Sequence, residues 1–312
     1  MKLRLPLGAV VAAIGAIVVA LLPFALSGYH QGLATKVAVF FIAILGLDIL
    51  TGYTGQISIG HGAFMALGGY TTAVMSNYHH TNLILTLPLA FVVTFACGLL
   101  VGVPALRFSG VYLALATFAL AVSVPQFAFK FSKFSGGSNG IHTSHAVSHT
   151  WLYAVSWAAA AVLYLGAWLL LRGRTGRAFR AVRDSELAAV STGVSLPIYK
   201  ILAFGVSAAY AGVAGSLFVL YLNGYAQPNE FGVVLSLEVL IGAAVAGLGS
   251  LWGVIVGAAF IGLLPEISSS VPLIGSNHGQ DVVFGLMVIL IMLLLPNGFA
   301  GLLARLARLR RA

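Results

Sequence analysis

Long runs of apolar residues dominate the chain, separated by short polar or glycine-rich segments. Residues 5–26 and 282–295 are apolar throughout. A closed β-barrel would instead alternate polar and apolar positions. The pattern predicts an all-α membrane protein, because a helix satisfies its backbone N–H and C=O groups internally where lipid offers no partner.

Ten stretches are candidate membrane-spanning helices, since a helix needs ~20 apolar residues to cross a hydrocarbon core of ~30 Å. The second, eighth and ninth are short, so we expect them to be tilted, broken or re-entrant. The ten are residues 5–26, 37–50, 57–75, 83–106, 111–129, 152–171, 201–222, 234–246, 251–264 and 282–295.

Small residues recur four positions apart within these stretches, a spacing that lets helix backbones approach closely. We therefore expect close helix packing at Gly98 and Gly102, at Gly242 and Ala246, and at Gly253 and Gly257.

The composition places the chain outside the range of soluble domains. Hydrophobic residues make up 60%, charged residues 7%, and the mean hydropathy is +1.03. We interpret residues 1–312 as one transmembrane domain. A net charge of +9 would suggest nucleic acid in a soluble protein, but here its placement reports orientation, so no nucleic-acid partner is predicted.

Lysine and arginine are distributed unevenly over the predicted loops. With the N-terminus in the cytoplasm, all but Lys36, Lys130 and Lys133 of the 16 basic residues fall on the cytoplasmic side. Because short cytoplasmic loops are enriched in these residues, this predicts that both termini are cytoplasmic.

Charge gathers at residues 172–200, between apolar stretches. Arg177, Arg180 and Asp184 follow i, i+3, i+7 spacing and form one polar stripe of a short helix. Such a helix lies on the membrane surface or docks into a cytoplasmic protein. The acidic residues Asp184 and Glu186 favour the protein.

Residues 45–64 are apolar, then broken by glycines, then apolar again. Glycine costs helix stability, ~1 kcal/mol relative to alanine, so the run indicates a helix break. There, backbone carbonyls and the side chains of Gln56 or Ser58 could meet a solute. A tight cytoplasmic turn between two spans explains the pattern equally well.

Ionisable groups occur in or near the apolar stretches, where they are costly unless paired, protonated or facing a water-filled cavity. Asp48 and Glu238 are therefore candidates for the translocation pathway. The alternative is a carboxyl group held by neighbouring helices. His61 is a third candidate, although such a histidine is more often a neutral, hydrogen-bonded helix residue than a proton carrier.

His142, His145 and His149 lie in a predicted external loop at spacings of three and four. This suggests a metal site, but no carboxylate or cysteine accompanies them. We interpret the segment as an exposed loop and predict no metal and no cofactor.

The sequence also lacks a phosphate-binding Gly-Lys-Ser/Thr loop, a His-Glu-x-x-His helix and a nucleophile–base set. We expect a protein that is not an enzyme.

Three segments together resemble a known family. Residues 45–70, 176–193 and 236–253 are similar to the inner-membrane permease of branched-chain amino acid ABC importers, the LivM type, and residues 136–141 look like its external loop. The resemblance covers residues 37–296. It implies a type II ABC importer fold in the bacterial inner membrane, and transport of leucine, isoleucine or valine. Urea, short amides, other amino acids or a stand-alone secondary carrier are alternatives.

The resemblance also implies partners: a homologous permease, two cytoplasmic ATPase subunits and a periplasmic binding protein. Ala188, Ala189 and Gly193 match a Glu-Ala-Ala-x-x-x-Gly coupling signature, with the acid one position early at Glu186. Residues 172–200 would be the coupling loop, and Asp48 departs from an asparagine in the family pattern. The implied coupling residues are Arg177, Arg180, Arg183, Asp184, Glu186, Ala188, Ala189 and Gly193.

Overall fold

A computed structural model describes residues 27–144, 147–269, 279–295 and 298–302, and these residues are mainly helical. A π turn, Asp48–Gly52, follows the first helix directly, and two short strands, β1 (Ile141–His142) and β2 (Tyr225–Ala226), pair antiparallel. The helices are α1 (Gly28–Leu47), α2 (His61–His79), α3 (Leu83–Ala105), α4 (Val111–Lys130), α5 (Ser132–Ser135), α6 (His149–Arg172), α7 (Arg174–Asp184), α8 (Glu186–Ser191), α9 (Leu196–Tyr221), α10 (Val233–Ala246), α11 (Gly253–Ser269) and α12 (Gly279–Leu294).

Within the described part of the chain, six helical segments are long and apolar enough to cross a membrane, which confirms the prediction of an all-α membrane protein. The first comprises α1 and the π turn, and the last joins the 3₁₀ turn Pro228–Phe231 to α10. The others are α3, α4, α6 and α9. The apolar part of α11, Gly253–Glu266, is shorter.

Two of these segments form the centre of the bundle. The most apolar windows of Gly28–Gly52 and of α9 are each 83% buried, whereas those of α3 and α6 are 22% buried. Helix α9 packs against α1, α2 and α3. The peripheral helices present apolar side chains outward, such as Val92, Val111 and Val162. This arrangement suits a lipid environment or another apolar protein surface.

Small residues allow the close approach that the four-residue spacing predicted. A Cβ atom on Gly98 would lie 2.8 Å from the carbonyl oxygen of Phe204 in α9. One on Gly257 would overlap the carbonyl oxygen of Gly242, so α10 and α11 touch backbone to backbone. The predicted packing is confirmed at these positions.

The boundaries of two predicted spans were wrong. The span given as 37–50 begins at Gly28, because Gln31 and Lys36 interrupt the apolar run without ending the helix. The span given as 57–75 begins as a helix only at His61, after a non-helical stretch. The predicted first span, 5–26, lies outside the described residues.

Several helix ends meet on one face of the bundle, which we term the arginine end. It comprises the C-terminal ends of α1, α3, α6 and α10, the N-terminal end of α9, and helices α7 and α8. Arg183 of α7 donates a hydrogen bond to the carbonyl of Gly52, 2.6 Å away, and also lies beside Gly249. Leu106 and Leu196 line one groove.

The opposite face, termed the histidine end, comprises the N-terminal ends of α1 and α6, the C-terminal ends of α2, α4 and α9, and the two strands. The Thr150 hydroxyl donates to the side-chain oxygen of Gln31 at 3.0 Å. The Ser144 hydroxyl donates to the Ser76 carbonyl at 2.7 Å. With α2 included, the long helices from α1 to α10 therefore run in alternating directions between the two ends.

Candidate functional site: the arginine end and the broken helix

Helices α7 and α8 are two separate helices, and local sequence sets their limits. Ser185 has an extended backbone (φ −164°, ψ 117°), which ends α7, and its hydroxyl accepts the Ala188 N–H to cap α8. Gly193 adopts φ +84°, the left-handed conformation that often ends a helix. The Val194 N–H then reaches the Ala189 carbonyl at 3.0 Å. The Ala-Ala-x-x-x-Gly pattern is thus the body and C-terminal cap of α8.

Helix α7 has the two faces predicted from its sequence. Phe179 is 0% exposed and Val182 is 3% exposed, so they anchor the helix to the bundle. Phe179 also meets the ring of Tyr199 edge-on at 6.3 Å between centroids. Arg177 and Asp184 lie on the exposed face, which confirms the polar stripe.

Helix α8 exposes an apolar side chain that the sequence analysis did not single out. Leu187 is 87% exposed and Val190 is 54% exposed, whereas Ala189 is buried. Of the alanine pair, Ala188 is exposed and Ala189 packs inward. The sequence does contain a signal for this exposed residue, namely a leucine within a charged loop, between the serine and the glycine that cap α8. Leu187 and Val190 are three positions apart on the helix and form an exposed apolar patch, which is a candidate protein contact.

Glu186 is paired within the chain. Its carboxylate lies 2.6 Å from the Lys200 ammonium, and the Lys200 side chain is only 9% exposed. The pair connects the beginning of α8 to α9. Beside it is a groove of about 390 Å³, lined by Leu106, Glu186, Val190, Val194, Ser195, Leu196, Pro197 and Lys200.

The π turn brings Asp48 to the arginine end. Asp48 is 1% exposed, and its Oδ1 accepts the Gly249 N–H at 2.6 Å. Arg183 Nη1 donates to the Gly52 carbonyl, also at 2.6 Å. A predicted pathway residue and a predicted coupling residue therefore meet at one turn. Their separation along the chain hid this from the sequence analysis.

Gln56 and Ser58 are buried in the segment that follows the π turn. The Gln56 amide donates to the Thr54 hydroxyl at 3.0 Å, and the Thr51 hydroxyl donates to the Gln56 carbonyl at 3.0 Å. The Ser58 hydroxyl accepts the Gly60 N–H. In this conformation the segment satisfies many of its polar groups within itself, as broken helices in membranes must.

His61 and Glu238 lie apart from the π turn. His61 is 1% exposed, and its Nε2 lies 3.1 Å from the Ser207 hydroxyl of α9. Glu238 is half-buried on α10, within electrostatic range of Lys36 and of the like-charged Glu230. Lys36 is a cation near Glu238 that the sequence analysis did not identify.

At the histidine end, His142 stacks on Tyr225 with 4.4 Å between ring centroids, and His149 begins α6. His145 lies outside the described residues. Within the described ranges, histidine, cysteine and acidic residues form no group of three or more that could hold a metal ion.

Comparison with known proteins identifies the family of the chain. A family model described as "Branched-chain amino acid transport system / permease component" matches residues 29–292. The chain belongs to this family. Since the family is one of transport permeases, the chain is a multi-pass inner-membrane transport subunit. No solved structure matches it.

Two relatives are the high-affinity branched-chain amino acid transport system permease proteins LivM of Salmonella typhimurium and of Escherichia coli K12. Each is 30% identical to the chain, over 88% of the chain and 71% of the relative. The LivH permease of Escherichia coli K12 is 29% identical over 52% of the chain and 51% of the relative. The family member is thus of the LivM type.

Proposed function

We propose that the chain is a permease subunit of an ATP-driven importer for leucine, isoleucine and valine, and that it performs no covalent chemistry. The relatives named as LivM permeases support this, because the similarity extends over most of both chains. One structural observation carries the proposal: α7 and α8 form a short, anchored helix pair that presents Leu187 and a polar stripe outside the apolar bundle.

The solute follows from the names of the LivM relatives. Another relative, the autoinducer 2 import system permease protein LsrC of Klebsiella pneumoniae, matches a shorter part of the chain, with 33% identity over 34% of it. Similar permeases thus occur in systems with another named solute, so the assignment of branched-chain amino acids rests on the LivM similarity.

The translocation pathway requires a second subunit in this proposal. The two central segments of the chain are each 83% buried, and a homologous permease would provide the facing wall. The similarity to LivH proteins supports such a heterodimer. Pathway candidates within this chain are Asp48, Gln56, Ser58, His61 and Glu238.

Two ATPase subunits would bind the arginine end, which is then the cytoplasmic face, with both termini on the same side. Residues 172–200 form the coupling loop of the single domain 1–312. When the ATPase pair closes on ATP, it would displace α7 and α8, whose buried Phe179 and Val182 and Glu186–Lys200 pair transmit the motion to the spans. A periplasmic binding protein would deliver solute at the histidine end.

Co-purification from the native membrane, followed by reconstitution, tests the proposal. We expect two ATPase subunits and a second permease to co-purify with the chain. Leucine uptake into proteoliposomes should require ATP and a binding protein. Passage of leucine down its gradient through the purified chain alone would instead establish a stand-alone carrier. Urea, acetamide and other amino acids in the same assay test the solute class.

A further inference from the structure

Arg183 connects α7 to the π turn, Asp48–Gly52, that follows α1. It is the penultimate residue of α7, and its Nη1 donates a 2.6 Å hydrogen bond to the carbonyl of Gly52, the last residue of the π turn. Single π turns inside helices expose backbone groups and often occur at functional sites. The guanidinium of Arg183 therefore takes up a carbonyl at the point where α1 is broken.

The Gly52 backbone lies directly on the Asp48 carboxylate. A Cβ atom at Gly52 would overlap Asp48 Oδ1. That oxygen accepts the Gly249 N–H, and a Cβ atom on Gly249 would in turn be 2.8 Å from Arg183 Nη1. The π turn, the end of α7 and the loop between α10 and α11 thus meet at one point.

The second carboxylate oxygen of Asp48 is not used in this conformation. Asp48 is 1% exposed, and its Oδ2 has no hydrogen-bonding partner among the described residues. Leaving a buried acceptor unsatisfied is costly, and most such groups in native proteins have a partner. The charge of Arg183 acts on Asp48, but in this conformation the two side chains form no ion pair.

We propose that Arg183 is a latch, by which we mean a side chain that exchanges one hydrogen-bonding partner for another, between the coupling loop and the π turn. In the conformation described here it holds the Gly52 carbonyl, and in the other conformation of the transport cycle it pairs with Asp48 Oδ2. Arg183 and Asp48 are then positioning residues for transport rather than contacts for the solute. This inference rests on the proposed function and assigns Asp48 a role in its coupling step.

The geometry favours a change of partner over a large rearrangement. Helix α7 is anchored by buried side chains, so a push on α7 and α8 moves its C-terminal end as a unit. Arginine presents several donors on a long side chain, and the Gly52 carbonyl and the Asp48 carboxylate both belong to the π turn. A small displacement of α7 would thus exchange one acceptor for the other and change the contacts of α1 and of the Gly249 loop together.

Transport by the complete, reconstituted transporter distinguishes an Arg183 that changes its partner from one whose contact is permanent. The variants are Arg183→Gln, Asp48→Asn and the double substitution. Asp48→Asn preserves the shape and the Oδ1 acceptor for Gly249 but removes the acceptor at Oδ2. The matched control is Arg107→Gln, because Arg107 is an exposed arginine in the turn between α3 and α4, outside residues 172–200.

The quantity measured is leucine transported per ATP hydrolysed. We expect each single variant to lower this ratio roughly tenfold while ATP hydrolysis continues, and the control to match the parent. The double variant should be no worse than the poorer single variant, because both substitutions remove the same interaction. A parental ratio in Asp48→Asn, or losses that multiply in the double variant, would overturn the latch.

The Tm of the purified chain provides a second test of the latch, and this test does not depend on transport activity. In the described conformation Arg183 binds the Gly52 carbonyl, whereas Asp48 Oδ2 has no partner among the described residues, so Arg183→Gln should lower Tm while Asp48→Asn should not. Equal, non-additive losses of Tm would indicate a permanent Arg183–Asp48 pair and reject the latch. Absence of ATP-dependent uptake by the parental transporter would refute the proposed function. The Tm values of the variants would still show whether Arg183 and Asp48 are paired in the described conformation.

Discussion

At the scale of the residue, glycines, which have no side chain, decide how closely the central helices approach one another. Gly68 of α2 faces the backbone of Gly212 in α9, and Gly215 of α9 faces the Met65 carbonyl in α2. A methyl group at either glycine would overlap a carbonyl oxygen. In a lipid environment, where no hydrophobic effect drives helices together, such close contacts supply much of the packing energy.

Gly68→Ala should therefore destabilise the folded chain, by about 1–3 kcal/mol, the usual cost of overpacking. Gly32→Ala is the matched control, because Gly32 is also helical and no described atom lies within 4 Å of a Cβ atom there. Thermal unfolding in detergent should give a lower Tm for Gly68→Ala and an unchanged or higher Tm for Gly32→Ala. Equal effects would show that helix propensity, and not packing, limits stability.

At the scale of the element, α8 is a six-residue helix whose exposed face is the proposed ATPase contact and whose buried face packs on the bundle. Ser185 and Gly193 set its two ends, and Glu186 ties it to Lys200. Leu187 is left pointing away from the bundle. An apolar anchor surrounded by polar residues is the usual centre of a protein–protein contact.

Leu187→Ala should weaken binding of the ATPase subunits about tenfold, or ~1.4 kcal/mol, because truncation of an interface anchor removes buried apolar area. Phe108→Ala is the matched control, since Phe108 is an exposed apolar residue, 42% exposed, in the turn between α3 and α4. A binding titration with purified ATPase measures both. Unchanged affinity in Leu187→Ala would remove α8 from the interface.

At the scale of the whole molecule, the two ends of the bundle differ in charge. The arginine end carries the basic residues of α7, whereas Lys130 and Lys133 lie near the histidine end. The positive-inside rule then predicts which end faces the cytoplasm. The relative placement of the ends is a structural observation, and the side of the membrane is an inference from charge.

Single cysteines test this orientation. Cys97 is the one cysteine of the sequence, so a Cys97→Ala parent is the unlabelled control. Arg177→Cys should react with a membrane-impermeant maleimide only in inside-out vesicles, and Lys133→Cys only in spheroplasts, because both positions are exposed at opposite ends. Reaction of both from the same side would contradict the topology.

Local patterns predicted most of the membrane-spanning helices and the polar stripe of α7, because the residues of one helix are close together in sequence. The stripe of Arg177, Arg180 and Asp184 needed only the periodicity of a single helix. The start of α1 was missed for the same reason. Polar residues weaken a local hydropathy signal even where the helix continues.

The contacts at the candidate site depended on distant parts of the chain. Asp48 and Gly249 are 201 positions apart, and Arg183 is 131 positions from Gly52. No local pattern places them together. Glu186 was likewise predicted to favour docking of a cytoplasmic protein, whereas in the structure it pairs with Lys200.

Composition and helical periodicity are enough to show a helical membrane protein with one charged loop, because both are properties of neighbouring residues. The tertiary structure decided that α1 and α9 form the centre, that Leu187 points outward, and that Asp48 meets the end of α7. These features depend on which helices pack together, and that is set by shape complementarity between segments far apart in the chain.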